Sequence, residues 1–295
     1  MSRATNAMKI RRLALLVLLF LPTSAWGQKE PPVDRFELKS TLLGRSIDYR
    51  ILYPVQYQYP DKREKRFPVI YLLHGVTGQS SDWLERTRIA LYATRYDLFV
   101  VMVEGGNGWY TDSATVPTDR YESYILQELI PEVEKRFRVS QEGDGRAIAG
   151  LSMGGYGAIK FGLKHPDKFA FAASMSGAFG AASWTEKEVR TPGPILDSIL
   201  KAFGPLNSPT RTSNDVFKLT REVQSDRISS LPYFYLDCGI QDFLFQFSRD
   251  LAGLFVERKI PHEYRQLPGD HNWQYWDRQI DEILKLAAQR LPSPK

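Results

Sequence analysis

The sequence predicts an α/β protein with a mostly parallel central sheet, helices on both faces and antiparallel strands at the N-terminal end. Continuous apolar runs indicate strands that are covered on both faces, as in a parallel sheet. These runs lie at 69–73, 98–103, 147–151, 171–175 and 234–238. Between them, apolar residues recur at helical spacing. Strands that alternate with helices are typical of one α/β domain.

Further patterns predict the remaining elements. Residues 36–40 and 46–53 roughly alternate between apolar and polar side chains, which predicts two half-buried antiparallel strands that join near Leu43 and Gly44. The helical patterns cover residues 121–136, 156–163, 248–258 and 273–291. Residues 181–230 are polar and contain several prolines, so we predict an inserted cap-like segment there that covers or lines a site.

The first 27 residues have the layout of a secretory leader. A short basic stretch ends at Arg12, an unbroken apolar run follows from Leu13 to Leu21, and small residues precede the expected cleavage after Gly27. The apolar run has about half of the roughly 20 residues that a membrane-spanning helix needs, so we expect no stable membrane span after processing. The sequence thus predicts a bacterial protein that is secreted or periplasmic, with residues 28–295 as one domain.

Charge and cysteine content argue against several classes of function. The chain has 39 basic and 34 acidic residues, but four of the basic residues and none of the acidic ones lie in the expected leader. The remaining net charge of +1 gives no reason to expect a nucleic-acid partner. Cys238 is the only cysteine, so no disulfide can form within the chain, and its apolar neighbours predict a packing role. The histidines show no metal-ligand spacing, and we expect no metal and no cofactor.

A serine between glycines is the strongest chemical signal in the sequence. Residues 150–154, Gly-Leu-Ser-Met-Gly, fit the G-x-S-x-G pattern, with a strand pattern before them and a helix pattern after them. That context defines a nucleophile elbow, the sharp turn that exposes the serine of an α/β-hydrolase. The helix N-terminus beside the serine favours developing negative charge. We therefore predict the α/β-hydrolase fold, with Ser152 as the nucleophile.

Chain order narrows the choice of general base. In this fold the acid and the histidine follow the serine along the chain. His271 lies in the loop before the last predicted helix, where a base can reach the serine hydroxyl. His165, just past the nucleophile helix, and His262, in a connection before a strand, are expected to have structural roles. We predict His271 as the base.

The acid that orients the histidine has three candidates. Asp242 lies in the loop just after a predicted strand, whereas Asp237 lies within that strand. The acid has to hold the imidazole, which favours the loop position and hence Asp242. Asp270 is adjacent to His271, and a residue seldom points at its neighbour's ring. The predicted triad is Ser152, His271 and Asp242.

Two backbone N–H groups have to point at the oxyanion of the tetrahedral intermediate. We expect one from Met153, directly after the nucleophile, and one from Val76, in the loop after the first predicted parallel strand. His74 begins that loop, but it precedes the serine in the chain. We therefore expect His74 to orient or pack and not to react.

Aromatic side chains are expected near the mouth of the site. They are Trp83, Trp109, Tyr110 and Trp273. Large aromatic residues are common both in substrate sites and in cores, so stacking on a sugar or aromatic acid and plain packing are equally open. We predict Trp109, Tyr110 and Trp273 as substrate-binding residues.

Three segments of the chain resemble the esterase D-type family. They lie at 71–75, 107–112 and 149–158. The family includes S-formylglutathione hydrolases, feruloyl and acetylxylan esterases, and the antigen 85 mycolyltransferases. The likeness is strongest to bacterial tributyrin esterases, which share the Asn-Gly-Trp-Tyr-Thr-Asp stretch at 107–112. They also share the Gln-Asp-Phe-Leu segment at 241–244 and the His-x-Trp-x-x-Trp pattern that begins at His271.

The resemblance implies a function and a set of rivals. It implies the same triad, oxyanion donors at Val76 and Met153, and a serine carboxylesterase that acts on short-chain acyl esters, including acetylated or feruloylated sugars. The expected partner is therefore a small-molecule or carbohydrate ester. Two alternatives stay open, because fold alone does not fix function. One is an acyltransferase that uses the same triad, and the other is a non-catalytic binding module on a hydrolase scaffold.

Overall fold

One sheet of eight strands forms the centre of the described part of the molecule. The computed structural model describes residues 33–59, 63–189 and 193–294, and the expected leader at 1–27 lies outside these ranges. The strands are β1 (Val33–Ser40), β2 (Arg45–Leu52), β3 (Val69–Leu73), β4 (Phe99–Val103), β5 (Arg146–Leu151), β6 (Phe171–Met175), β7 (Tyr233–Gly239) and β8 (His262–Leu267). Their order across the sheet is β1-β2-β4-β3-β5-β6-β7-β8. The five apolar runs singled out in the sequence become β3 to β7, each within one residue of its predicted bounds.

The strand directions agree with the predicted sheet. β1 pairs with β2 and β2 with β4 in the antiparallel sense, and the remaining neighbours are parallel. The predicted N-terminal hairpin is confirmed, with Phe36 opposite Tyr49. Because β3 to β8 are parallel, their carboxyl ends meet at one edge of the sheet, and the loops that follow them lie close together.

Helices cover both faces of the sheet. They are α1 (Asp82–Arg86), α2 (Ile89–Ala93), α3 (Tyr121–Tyr124), α4 (Ile130–Arg136), α5 (Met153–Lys164), α6 (Pro194–Phe203), α7 (Pro209–Asn214), α8 (Val216–Glu222), α9 (Phe245–Glu257) and α10 (Trp273–Arg290). A π-helical segment, Ile125–Leu129, joins α3 to α4. The four predicted helices correspond to α3 with α4, α5, α9 and α10. Within the ranges that the structure describes, no helix has both the length and the apolar character needed to span a membrane.

Two hydrophobic cores explain the continuous apolar strands. Along β3, Val69, Tyr71 and Leu73 point into one core, together with α3, α4, α5 and α9. Ile70 and Leu72 point into the other core, which α2 and α10 cover. All five side chains of β3 are buried. Side chains alternate between the faces of a strand, so a strand covered on both sides is apolar at every position.

The predicted insertion lies between β6 and β7 in the chain, and several of its side chains join the core on the α5 side of the sheet. It contains α6, α7 and α8, and Pro192 within it lies outside the described residues. Ser208 and Asp215 begin α7 and α8 by accepting hydrogen bonds from backbone N–H groups of the first turn. The Phe203 ring of α6 packs against Trp109 and Tyr156, with ring centroids 5.9 Å from each. The insertion therefore packs against α5 and the loop after β4.

A buried ion pair connects α5 to α3. The Lys160 ammonium is fully buried and lies 2.8 Å from Glu122 Oε2; it also donates to the Thr111 hydroxyl and the Tyr110 carbonyl. Burial lowers the pKa of Lys160 to about 8, against the opposing charge of Glu122. Burial alone would raise the pKa of Glu122, but Lys160 and His165 hold it well below its ordinary value. The pair fixes the loop at 110–111 to α5.

Removing one partner of this pair is expected to destabilise the fold. Glu122→Ala leaves the buried Lys160 charge uncompensated, which we expect to lower the free energy of unfolding by about 3 kcal/mol. Glu132→Ala is the control, because its pair with Arg136 is at the surface and should contribute less than about 1 kcal/mol. Urea unfolding at pH 7 measures both changes. Equal losses in the two variants would contradict this account.

Candidate active site

The turn between β5 and α5 holds Ser152 in a strained conformation. Its φ of 53° and ψ of −115° are unfavourable for a residue with a side chain and cost about 1–3 kcal/mol. The Ser152 N–H donates to the Met175 carbonyl at 2.9 Å, and its own carbonyl accepts from Tyr156 and Ala178. These bonds fix the peptide groups on both sides of the serine, so its hydroxyl projects from a rigid turn.

Close backbone contact explains the glycine after the serine. A Cβ added at Gly154 would lie 2.4 Å from the Leu73 carbonyl oxygen, which is closer than real Cβ contacts allow. The N-terminus of α5 therefore packs directly on the end of β3. This contact requires a glycine at position 154 and brings the loop after β3 next to Ser152.

The structure brings the three predicted triad residues together. Ser152 Oγ lies 3.1 Å from His271 Nε2, and His271 Nδ1 lies 2.8 Å from Asp242 Oδ2. With the hydroxyl donating to Nε2 and Nδ1–H donating to the carboxylate, the hydrogen bonds run continuously from serine to acid. The Leu244 N–H donates to Asp242 Oδ1 at 2.8 Å. Burial alone would raise the pKa of Asp242, but the hydrogen bond and charge of His271 lower it below its ordinary value.

Two aromatic rings hold the plane of the His271 imidazole. Trp276 meets it edge-on at 4.9 Å between ring centroids, and Phe243 lies 4.6 Å away on a tilted plane. The Trp276 indole N–H donates to the hydroxyl of the buried Ser176. Phe243 is 72% exposed despite its apolar side chain. The sequence patterns do not single out Phe243 or Ser176, although Phe243 lies in the Gln-Asp-Phe-Leu segment.

The loop after β3 lies over Ser152. A Cβ added at Gly75 would lie 3.5 Å from the Ser152 Cβ. The Gly78 N–H donates to the Gly75 carbonyl at 3.1 Å and closes a turn with Val76 at its second position. Met153 is the first residue of α5, where an N–H has no acceptor within the helix. The two N–H groups predicted as oxyanion donors thus come from the two segments that adjoin the serine.

A cavity of about 890 Å³ opens above the serine. Besides Ser152 and His271, its wall includes residues of the insertion, as predicted: Trp184, Lys187, Glu188, Val189 and Ile195. Other lining residues include Thr77, Asp82, Arg86, Asn272 and Trp273, most of which carry polar side chains. A cavity of this size with this lining suits a small ligand that has both apolar and polar parts.

Two of the three predicted aromatic contacts line this cavity. Trp109 is part of its wall, and its indole N–H donates to the Ser198 hydroxyl at 2.9 Å. Trp273 is also part of the wall, with the Arg86 guanidinium 5.6 Å above its ring. The prediction for Tyr110 was wrong. Its ring is fully buried away from the cavity, and its hydroxyl donates to the His74 carbonyl at 2.9 Å.

The other histidines lie in structural contacts. His74 is fully buried, and its Nε2 accepts from the Gly105 N–H at 3.0 Å. His165 Nε2 lies 2.8 Å from Glu122 Oε1, and His262 Nδ1 lies 2.8 Å from the Ile260 carbonyl. Among the residues that the structure describes, no group of three or more His, Cys, Asp or Glu side chains could hold a metal ion.

The two rival acids contact other groups. Asp270 Oδ1 accepts from the backbone N–H of His271 and not from its ring. Asp237 is buried in β7, where its Oδ1 accepts from the Tyr275 hydroxyl at 2.9 Å. Burial raises the pKa of Asp237 to about 7, against the lowering effect of its hydrogen bonds and of Arg265. Burial also raises the pKa of Cys238 to about 12, as suits a packing thiol.

Asp237 is expected to make stability depend on pH. Between its ordinary pKa and about 7, the folded state keeps a proton that the unfolded state has lost, so stability falls as pH rises through this window. Asp237→Asn abolishes the titration of this carboxyl group but keeps an oxygen that can accept from the Tyr275 hydroxyl. The stability of the wild type relative to this variant should therefore decrease from pH 4.5 to 7.5 in urea unfolding. A constant or rising difference would contradict the raised pKa.

Known proteins match both the fold and the site region. The fold and the serine turn define an α/β-hydrolase of the serine hydrolase class. A family model described as putative esterase matches residues 40–227. The chain therefore belongs to the putative esterase family, and it is a carboxylic ester hydrolase.

Individual relatives cover almost the whole chain. An acetyl esterase of Caldicellulosiruptor saccharolyticus is 29% identical over 258 residues, which are 85% of this chain and 96% of that protein. The diacylglycerol acyltransferase/mycolyltransferase Ag85A of Mycobacterium bovis is 30% identical, over 90% of this chain and 83% of its own length. The solved structure of FphF, a fluorophosphonate-binding serine hydrolase of Staphylococcus aureus, superposes with a TM-score of 0.77. It is 28% identical and covers 88% of this chain and 98% of its own.

Proposed function

We propose that this protein is a serine carboxylesterase that hydrolyses short-chain acyl or carbohydrate-linked esters. Ser152 is the nucleophile, His271 the base, and Asp242 the acid. The observation that carries the proposal is the continuous hydrogen bonding from Ser152 through His271 to Asp242 at the floor of the cavity. We also propose, from the leader pattern at 1–27 alone, that the enzyme acts in the periplasm or outside the cell.

The first half of the reaction acylates the serine. Ser152 Oγ attacks the ester carbonyl carbon while its proton moves to His271 Nε2. The negative charge that develops on the carbonyl oxygen is stabilised by the Val76 and Met153 N–H groups, and each such donor contributes about 3–4 kcal/mol. Asp242 stabilises the imidazolium. When the tetrahedral intermediate collapses, His271 returns the proton to the alcohol oxygen and the alcohol leaves.

The second half of the reaction releases the carboxylic acid product. A water molecule takes the place of the alcohol and gives a proton to His271 Nε2 as its oxygen attacks the acyl carbon. The same two N–H groups stabilise the second oxyanion. The bond to Ser152 Oγ then breaks, and the serine takes the proton back from His271. The enzyme returns to its starting state with one carboxylic acid produced for each water consumed.

The cavity supports esters with an apolar acyl part and a polar alcohol. Trp109, Trp184 and Phe247 form a continuous aromatic part of the wall, with ring centroids 5.6–6.3 Å between neighbours. Arg86 and Trp273 also line the cavity and suit hydroxyl groups and sugar rings. The similarity to an acetyl esterase favours small acyl groups.

An acyltransferase is the second candidate function. The observation that favours it is the 30% identity to an acyltransferase of mycobacteria. A transferase would pass the acyl group from Ser152 to an alcohol in place of water. We expect glycerol added to the p-nitrophenyl acetate reaction to leave acetic acid as the main product. Acylglycerol as the main product in gas chromatography would favour the transferase.

The ester series tests the proposal directly. The chain without residues 1–27 should hydrolyse p-nitrophenyl acetate and butyrate rapidly and decanoate slowly. Ser152→Ala should lower kcat by roughly 10⁶-fold, because the nucleophile and its activation are lost together. His262→Ala is the matched control for His271→Ala, because the His262 ring contacts the Ile260 carbonyl and the Phe255 ring instead of the triad. Turnover by Ser152→Ala at the wild-type rate would refute the assignment.

A pair of aspartate variants tests the assignment of Asp242 as the acid of the triad. Asp242→Asn preserves the side-chain shape but favours the wrong imidazole tautomer, so we expect kcat to fall by about 10⁴-fold. Asp270→Asn keeps an oxygen that can accept the His271 backbone N–H and should change kcat little. Steady-state kinetics with p-nitrophenyl acetate measures both. A larger loss of kcat in Asp270→Asn than in Asp242→Asn would show that Asp242 is not the acid of the triad.

A further inference from the structure

The turn that carries the Val76 N–H has an unfavourable residue at its third position. The hydrogen bond from the Gly78 N–H to the Gly75 carbonyl closes the turn, and Thr77 has a φ of 63°. Val76 is not among the residues with positive φ, so the turn is of type II. Type II turns favour glycine at the third position, and a β-branched residue there is strained. Thr77 therefore does not favour this conformation by itself.

Asn107 supplies the missing stabilisation from outside the turn. Its Oδ1 accepts the Thr77 N–H at 2.7 Å, although the two residues are 30 positions apart. That N–H belongs to the central peptide of the turn, between Val76 and Thr77. Type I and type II turns differ by a flip of this peptide. The bond to Asn107 therefore forms only when the peptide has the type II orientation.

Neighbouring contacts fix the ends of the loop and the Gly75 carbonyl, which also accepts from His74 Nδ1 at 2.7 Å, but they do not reach the central peptide between Val76 and Thr77. The Tyr110 hydroxyl donates to the His74 carbonyl at the start of the loop. At its end, Glu104 Oε2 accepts from the Ser80 N–H at 2.8 Å. In the part of the chain that the structure describes, Asn107 provides the side-chain bond to the central peptide. Asn107 begins the Asn-Gly-Trp-Tyr-Thr-Asp segment, for which the triad chemistry gives no role.

We infer that Asn107 is a positioning residue of the oxyanion hole. It selects the type II form of the turn and so keeps the Val76 N–H directed at the place where the oxyanion forms. Without it, the central peptide can flip, which relieves the strain at Thr77 and shifts the backbone that carries the donor. The inference rests on the proposed function, because it assigns Val76 a role in that reaction. Donors that are fixed in advance stabilise the transition state more than donors that must reorganise.

The test combines removal of the bond with relief of the strain. Asn107→Ala should lower kcat for p-nitrophenyl acetate by about 10- to 100-fold, part of the loss expected for a missing oxyanion donor, with little change in KM. Thr77→Gly alone relieves the strain while the bond to Asn107 remains, so it is the reference against which the double variant is compared. The double variant Asn107→Ala/Thr77→Gly should recover most of the lost kcat, because glycine adopts a positive φ without strain. A purely structural role of Asn107 would not give this rescue.

A second readout separates this inference from the proposed function. Ser152 should also react with a p-nitrophenyl alkylphosphonate, whose phosphorus accepts Oγ as p-nitrophenolate leaves and His271 takes the proton. This step uses the same hole and does not depend on which ester the enzyme prefers. Asn107→Ala should slow it, and Thr77→Gly should restore it. Wild-type rates in Asn107→Ala, or a loss that Thr77→Gly does not rescue, would overturn the inference, whereas failure of the wild type to react through Ser152 would overturn the proposed function.

Discussion

The strained turn at Ser152 is the constraint on which the rest of the site depends. A serine with positive φ persists only where its surroundings determine the backbone on both sides. Here β5 lies between β3 and β6 in the middle of the sheet, and the Ser152 N–H and carbonyl are both bonded. The close contact of Gly154 with Leu73 leaves α5 no room to shift. The core of the sheet thus stabilises a conformation that the serine would not adopt alone.

The parallel sheet brings the other site residues to the same place. β3, β5, β7 and β8 all end at one edge, and the loops after them supply the Val76 N–H, Ser152, Asp242 and His271. The acid loop and the histidine loop are bonded to each other. The Gln241 N–H donates to the Gly269 carbonyl at 3.0 Å, and the Gly269 N–H donates to Gln241 Oε1 at 2.8 Å. These bonds hold the two loops at the distance at which Asp242 and His271 can form their hydrogen bond.

The fold and the assembly of the triad residues followed from local patterns and chain order. Apolar runs predicted β3 to β7 because both faces of these strands are buried. The chain order of serine, acid and histidine in this fold then pointed to Ser152, Asp242 and His271 in the loops that follow predicted strands. The helices α1 and α2 were not predicted, because five residues are too few for a helical period to show. Such short helices are visible only in the folded chain.

Side-chain direction was the main source of error. Trp109 and Tyr110 are adjacent in sequence and both are buried, yet Trp109 contributes to the cavity wall, whereas the Tyr110 hydroxyl bonds to the His74 carbonyl. Both have positive φ, so neither the helical nor the strand period predicts where their side chains point. The bond from Thr77 to Asn107 spans 30 residues and leaves no periodic trace in the sequence. Contacts of this kind depend on the tertiary structure.

A crystal structure of the chain with a bound boronic acid would test the central claim most directly, because tetrahedral boronate resembles the intermediate of acyl transfer. We predict a covalent bond from boron to Ser152 Oγ. One boronate oxygen should lie within about 2.7–3.1 Å of both the Val76 and Met153 nitrogens, with a second near His271 Nε2. A boronate bound to another residue, or one whose oxygens avoid both N–H groups, would contradict the account.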